Sequence, residues 1–279
     1  MGGQNRIEKC GTSDRCAERE LYRATLEGQR TLGGRSVTVI PPRFGRPCIY
    51  PVIHVPDLSD FDSAAETVLD QAARAIEFDI AGVFLIDHAA DHERLLYCLK
   101  AVRRAYQKLF LGANFIREGP VESLERLRSG LPSHVFVDAL WTDNACLTVS
   151  GGAEAALAFR QRRGELGWRC LHFGGVAFKY QTPVADADLC RLGEIAAQYV
   201  DVATTSGPST GRAADRGKLE RLRSGLKTHP LALASGVTPE NVACYVDLVD
   251  HILVSTGISD GHDGIDKAKL AALMSNAHL

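Results

Sequence analysis

From Tyr50 onward, short apolar runs alternate with longer segments of helical period, and the alternation repeats eight times. The runs are Tyr50–Val55, Gly82–Asp87, Leu109–Asn114, His134–Ala139, Cys170–Phe178, Val200–Thr205, Leu231–Ser235 and Ile252–Ser255. The helical segments are Phe61–Phe78, Asp91–Gln107, Val121–Ser129, Gly152–Leu166, Asp186–Gln198, Asp215–Leu226, Pro239–Val246 and Asp266–Ser275. The runs are continuously apolar, as in Gly82-Val83-Phe84-Leu85-Ile86. Strands of that kind are buried on both faces, as in a parallel sheet covered by helices. Asp60 or Asp62 before the first helix, and Thr238-Pro239-Glu240 before the seventh, are helix-start signals. Eight βα units in about 230 residues fit a closed (β/α)8 TIM barrel. An open doubly wound sheet gives no reason for the count to be eight. The expected organisation is an N-terminal extension over residues 1–47 and the barrel over 48–279. The extension lacks a sustained period, holds Gly33-Gly34 and Pro41-Pro42, and has one short helical stretch at Ala17–Thr25.

Hydrophobic residues make up 45% of the 279, enough to bury a full core, and the net charge of -2 argues against a nucleic-acid or membrane-surface partner. No apolar run approaches the roughly 20 residues of a membrane span, and the N-terminus has no secretory signal. The eight cysteines, Cys10, Cys16, Cys48, Cys98, Cys146, Cys170, Cys190 and Cys244, are scattered and fall mostly in apolar runs. They read as reduced core residues of a cytoplasmic protein.

In a barrel of this kind the active site lies at the C-terminal ends of the strands. The expected rim carries His54, then Asp87-His88, then Asn114 with Arg117, then Asp138 with Trp141 and Asp143 beyond it, then Lys179-Tyr180. Three Gly/Ser/Thr loops complete it: Ser206-Gly207-Pro208-Ser209-Thr210-Gly211-Arg212, Ser235-Gly236-Val237-Thr238 and Ser255-Thr256-Gly257. Phosphate binding needs backbone N–H groups converging on a concavity, helped by hydroxyl donors and a helix N-terminus. The loops after strands 7 and 8 often form such a site. Ser206, Gly207, Thr210, Gly211, Ser235, Gly236, Thr256 and Gly257 are therefore the expected phosphate ligands, with Arg212 placed to pair a second anionic group.

The same residues resemble a known family. Asp201-Val202-Ala203 through Gly211, then Ser235-Gly236-Val237-Thr238-Pro239-Glu240-Asn241, then Val254-Ser255-Thr256-Gly257 are similar to the closing motifs of the BtpA/SgcQ family. Upstream, Ile53-His54-Val55-Pro56, Gly112-Ala113-Asn114 and Phe178-Lys179 resemble its earlier strand ends. Departures stand at Asp87-His88, Tyr180 and Ala234. The resemblance implies a phosphate-binding TIM barrel. Family members have been associated with photosystem I biogenesis and labelled phosphoribosyltransferase-like, so the resemblance fixes no single reaction.

For chemistry, Asp87 and Asp138 are the expected general acid/base carboxylates or ribose ligands. Lys179, between apolar neighbours, is either a desolvated amine able to form a Schiff base or hold phosphate, or a salt-bridge partner of a rim carboxylate. His54, Asn114, Arg117 and Arg212 are expected to contact substrate. His54, His88 and Asp87 are ligand types that suit a divalent metal, but no metal spacing is present. Cofactors are otherwise unassigned. Two functions fit. One is an enzyme, a transferase or lyase, acting on a phosphorylated sugar or nucleotide by phosphoribosyl or glycosyl transfer, N-glycoside cleavage or aldol-type chemistry. The other is a non-catalytic ligand-binding assembly or biogenesis factor of the BtpA type. Rim clustering favours the enzyme. The partner expected is a phosphorylated small molecule, with self-association into a homo-oligomer through outer helices or the extension.

Overall fold

The computed structural model describes residues 46–262 and 264–277. The stretch Ala17–Thr25, Cys10 and Cys16 lie outside the described residues. Eight strands, β1 (Cys48–His54), β2 (Val83–Ile86), β3 (Leu111–Asn114), β4 (Ala139–Thr142), β5 (Leu171–Gly175), β6 (Val202–Ser206), β7 (Leu231–Ala234) and β8 (His251–Val254), form a closed barrel in sequence order. All pairs are parallel, and β8 returns to β1 from Cys48↔His251 to Pro51↔Val254. The chain is a TIM barrel.

The helices are α1 (Phe61–Ile76), α2 (His92–Ala105), α3 (Pro120–Gly130), α4 (Glu154–Glu165), α5 (Leu189–Tyr199), α6 (Arg216–Leu226) and α7 (Lys267–Asn276). Aspartate N-caps start four of them: Asp60, Asp91, Asp215 and Asp266 each accept backbone N–H bonds from the first turn. The helix expected over Pro239–Val246 is only a 3-10 turn, Val242–Cys244. Asn241 ties off the chain there, accepting from Thr238 N (2.8 Å) and donating to Gly236 O (2.9 Å). No helix N-terminus of useful length therefore stands behind Ser235-Gly236.

The core has two layers. Outward residues such as Ile49, Ile53, Leu85, Leu111, Leu140, Leu233 and Ile252 pack against the helices. Inside the barrel, Tyr50, Phe84, Phe173 and His251 fill the lower half, with ring centroids 5.2 to 6.1 Å apart. Trp141 packs edge-on over Phe84 at 6.2 Å. The upper half is left open. Of the described cysteines, Cys48, Cys98 and Cys170 are buried, while Cys244 is exposed. Among the described residues no helix is long and apolar enough to cross a membrane.

One device recurs at the lower rim. Asp138, Asp201 and Asp250 directly precede β4, β6 and β8. Each accepts the first or second backbone N–H of the preceding strand, from Leu111, His172 and Leu231. Each also pairs with an arginine, Arg103, Arg163 or Arg223, of the helix that leads into that strand. Each arginine in turn donates to the carbonyl just ahead of, or close before, that strand. The three clamps lock every second βαβ unit at its base.

Candidate active site

Asp138 belongs to one of these clamps, which corrects the expectation that it works at the catalytic rim. Strand 4 begins at Ala139, so Asp138 enters the strand from the bottom, its Oδ2 2.6 Å from Arg103 Nη2. Burial pushes its carboxyl up, and the Leu111 amide and Arg103 pull it back. Asp87 is also committed elsewhere. It points outward and is 1% exposed. Its Oδ2 and Oδ1 are held by Arg94 Nε (2.9 Å) and Nη2 (3.2 Å), and Oδ1 also accepts from Ala89 N. Neither carboxylate lines the open half of the barrel.

That open half is a cavity of about 1370 Å³, lined by residues of β1, β2, β4 and β8 and by the segments that follow the strands. His54 and His88 line it from β1 and β2, their rings T-shaped at 4.5 Å. His54 Nε2 lies 3.1 Å from Ser255 Oγ. Arg117 and Glu118 line it beyond β3, and Arg117 sits in the left-handed region at φ 69°. Among the described residues no group of three or more His, Cys, Asp or Glu comes together as a metal site.

The carboxylate that does enter the cavity is Asp143, directly past the end of β4. Asn114 Nδ2 donates to its Oδ1 at 3.0 Å. Burial raises the Asp143 carboxyl above its ordinary range, while the Asn114 bond and the charge of Lys179 oppose the shift. Asn114 thus acts on the cavity through Asp143. The apolar Phe136-Val137 pair draws the sequence reading of strand 4 too early. With the strand at Ala139–Thr142, Asp143 occupies the exit position that the fold reserves for chemistry.

Lys179 lines the cavity, half-buried, with Nζ donating to Thr210 Oγ1 at 3.0 Å. Its backbone N–H donates to Ser206 Oγ (2.7 Å), so Ser206 positions Lys179 and is itself fully buried. A second lysine underlies it. Lys218 on α6 donates to Ala177 O and Ser206 O, and burial pushes its ammonium down to about 8. Lys218 thereby ties the β5 and β6 exits together beneath Lys179. Nothing in its surroundings along the sequence marks it, because its partners are main-chain carbonyls.

The three Gly/Ser/Thr loops pack on one another. Gly211 N donates to Ser235 Oγ at 3.3 Å. A Cβ on Gly207 or on Gly236 would lie 2.0 Å from Arg212 O, and one on Gly257 would lie 2.0 Å from Val237 O. These three glycines are required by backbone meeting backbone, not by clearance for a ligand. Gly236 has φ +75° and Ser235 φ 71°, so the turn is left-handed at both residues. The amides of Gly236, Val237, Thr256 and Gly257 donate to no acceptor among the described residues. Of the expected phosphate ligands, Thr210, Ser235 and Thr256 line the cavity, while Ser206, Gly207, Gly211, Gly236 and Gly257 stand behind them. Arg212 also lies outside the lining, its carbonyl turned toward Gly207 and Gly236.

Solved structures similar to this one share its fold at low identity. Phosphoribosyl anthranilate isomerase from Thermus thermophilus is 14% identical, with a TM-score of 0.52 over 82% of this chain and 98% of that one. A structure described as native KDPGal has a TM-score of 0.56 at 14% identity, over 82% of this chain and 94% of that one. Orotidine 5'-monophosphate decarboxylase from Methanocaldococcus jannaschii, complexed with the inhibitor BMP, has a TM-score of 0.52 at 14% identity, covering 83% and 97%. No curated protein sequence matches the chain. The model of the BtpA family matches residues 98–279, which take in β3 to β8 and, with them, Asp143, Lys179, Thr210, Ser235 and Thr256. The chain belongs to the BtpA family.

Proposed function

We propose that the protein is an enzyme acting on a phosphorylated sugar or nucleotide held in the upper barrel. The observation that carries this reading is Asp143, a half-buried carboxylate in the cavity wall whose pKa is raised by desolvation, beside Asn114 and Lys179. A carboxyl so placed retains its proton closer to neutral pH and can give it to a leaving group. The phosphate is anchored across the mouth by the hydroxyls of Thr210, Ser235 and Thr256 and by the Thr256 amide, which donates to no acceptor among the described residues. Hydroxyls and amides aimed at one concavity suit a phosphate without needing a helix dipole. The same mouth holds phosphorylated ligands in folds of this kind. The named phosphoribosyl and orotidine monophosphate enzymes are consistent with that use.

In transfer or N-glycoside cleavage, the bond from the sugar carbon to its leaving group breaks while an acceptor group of the second substrate (transfer) or water (cleavage) bonds to that carbon and gives its proton to solvent, and Asp143 protonates the departing atom. The Lys179 ammonium steadies the nearby anionic groups. In aldol-type chemistry, Lys179 Nζ instead forms an imine with a substrate carbonyl and releases water. Borohydride treatment in the presence of sugar phosphates separates the two. An irreversible adduct on Lys179 assigns the aldol route, and turnover without adduct assigns transfer or cleavage. Asp143→Asn should lower turnover by roughly 10²- to 10⁴-fold, the usual contribution of a general acid. Ligand binding without turnover across a panel of phosphorylated sugars and nucleotides would contradict the enzyme and leave a binding factor.

A further inference from the structure

We propose that the ligand is a nucleotide whose base stacks on the ring of Tyr180 at the cavity mouth. This rests on the phosphate reading above and names what the sugar phosphate carries. Tyr180 lines the cavity and is 79% exposed. Its hydroxyl lies 3.4 Å from Thr210 Oγ1, one of the three hydroxyls assigned to the phosphate. The Lys179 ammonium lies over the ring, 5.8 Å from its centroid, and donates to the same Thr210 Oγ1 at 3.0 Å. Among the described residues, only Thr210 and Lys179 engage the Tyr180 side chain by hydrogen bond, charge or ring contact. One end of the ring is thus fixed beside the phosphate anchor, one face is toward Lys179, and the other face is open.

A strained backbone holds the ring there. Tyr180 sits at φ 65° and Ala177, three residues before it, at φ 44°. The left-handed region is disfavoured for a side chain as bulky as tyrosine, and such strain persists only where the surroundings over-determine it. Gln181 does so. Its Oε1 accepts from Phe178 N (3.2 Å), and its Nε2 donates to Asp143 O (2.7 Å) and Gly175 O (3.2 Å). The Lys179 amide is held by Ser206 Oγ at 2.7 Å. A rigid loop therefore presents an aromatic face to solvent at a position where glycine would relieve the backbone. The face of a phenol ring offers neither a hydroxyl nor an amide to pair with. A ligand made only of hydroxyls and phosphate gains little by covering it, whereas a base covers it with its own flat surface and sheds water from both. A nucleoside monophosphate anchored at Thr210 carries its base one ribose away from the phosphate, in the neighbourhood of this ring.

The full-length protein is titrated by calorimetry with adenosine 5'-monophosphate, uridine 5'-monophosphate and ribose 5-phosphate, which share the ribose phosphate and differ in the base. Each nucleotide is expected to bind about tenfold or more tightly than ribose 5-phosphate, the worth of one stacked base. Tyr180→Gly, which suits the left-handed backbone, should melt no lower than the wild type and should erase that advantage. Tyr180→Phe keeps the ring and should retain most of it. No advantage for either nucleotide, an advantage that survives in Tyr180→Gly, or one lost equally in Tyr180→Phe overturns this inference and leaves the phosphate reading standing. Absence of binding by all three ligands and by inorganic phosphate overturns the phosphate reading and this inference with it.

Discussion

Asp138 and Asp143 flank the same short strand and have opposite tasks. Asp138 ties Arg103 and the Leu111 amide together at the closed end, whereas Asp143 faces the cavity beside Asn114. Asp138→Asn is expected to lower stability, because a partly buried ion pair loses one of its charges, while leaving ligand binding intact. Asp143→Asn is expected to leave the fold intact and remove turnover. Thermal melts, ligand titration and turnover assays of the two variants give this double dissociation, and a binding defect confined to Asp138→Asn would contradict it. Arg94→Met strands the Asp87 carboxylate, 1% exposed, without its partner, and should cost about 3–5 kcal/mol in urea unfolding. A loss within error would mean that Asp87 is satisfied by other means. The residue types at the rim were legible in the sequence, and His54, Lys179, Thr210, Ser235 and Thr256 do line the cavity. Asp143 was not singled out, because a shift of a few residues in a strand's start exchanges which carboxylate is at the top and which at the bottom.

The elements themselves followed from the pattern of apolar runs and caps, with strand and helix ends moving by a few residues. Two features did not. Pro239–Val246 has the composition of a helix start, but Asn241 closes the chain into a turn. The loop glycines signal turns correctly, yet a sequence does not say what lies opposite a missing Cβ. Here it is the Arg212 carbonyl, so Gly236→Ala should disturb the β6 loop and lower stability, and is a poor probe of phosphate binding. The same close approach joins two helices. A Cβ on Gly225 of α6 would lie 1.9 Å from Cys190 O of α5. Gly225→Ala should cost about 1–3 kcal/mol by forcing the helices apart. Unchanged stability on chemical denaturation would show that the α5–α6 contact is compliant.

The closed ring of eight was the most legible property of the molecule, since continuous apolar strands in that number have few other ways to bury both faces. The three Asp–Arg clamps were hidden, because they join residues far apart in sequence. Buried histidines also couple the barrel to pH. Burial pushes His172 and His251 from an ordinary value of 6.5 down to about 4. Between these values the unfolded chain takes up protons that the folded chain refuses, so stability falls as pH falls. The slope from each histidine approaches about 1.4 kcal/mol per pH unit in the middle of that window. Urea midpoints should therefore drop between pH 7 and pH 5, and a flat profile would contradict neutral burial of both rings. Above all, the account rests on one anion seated between the hydroxyls of Thr210, Ser235 and Thr256. Crystals soaked in tungstate, a heavy phosphate analogue, test it directly. The account predicts anomalous density within hydrogen-bonding reach of those three side chains and of the Thr256 amide. Tungstate bound elsewhere, with that corner of the cavity empty at saturating concentration, would contradict it.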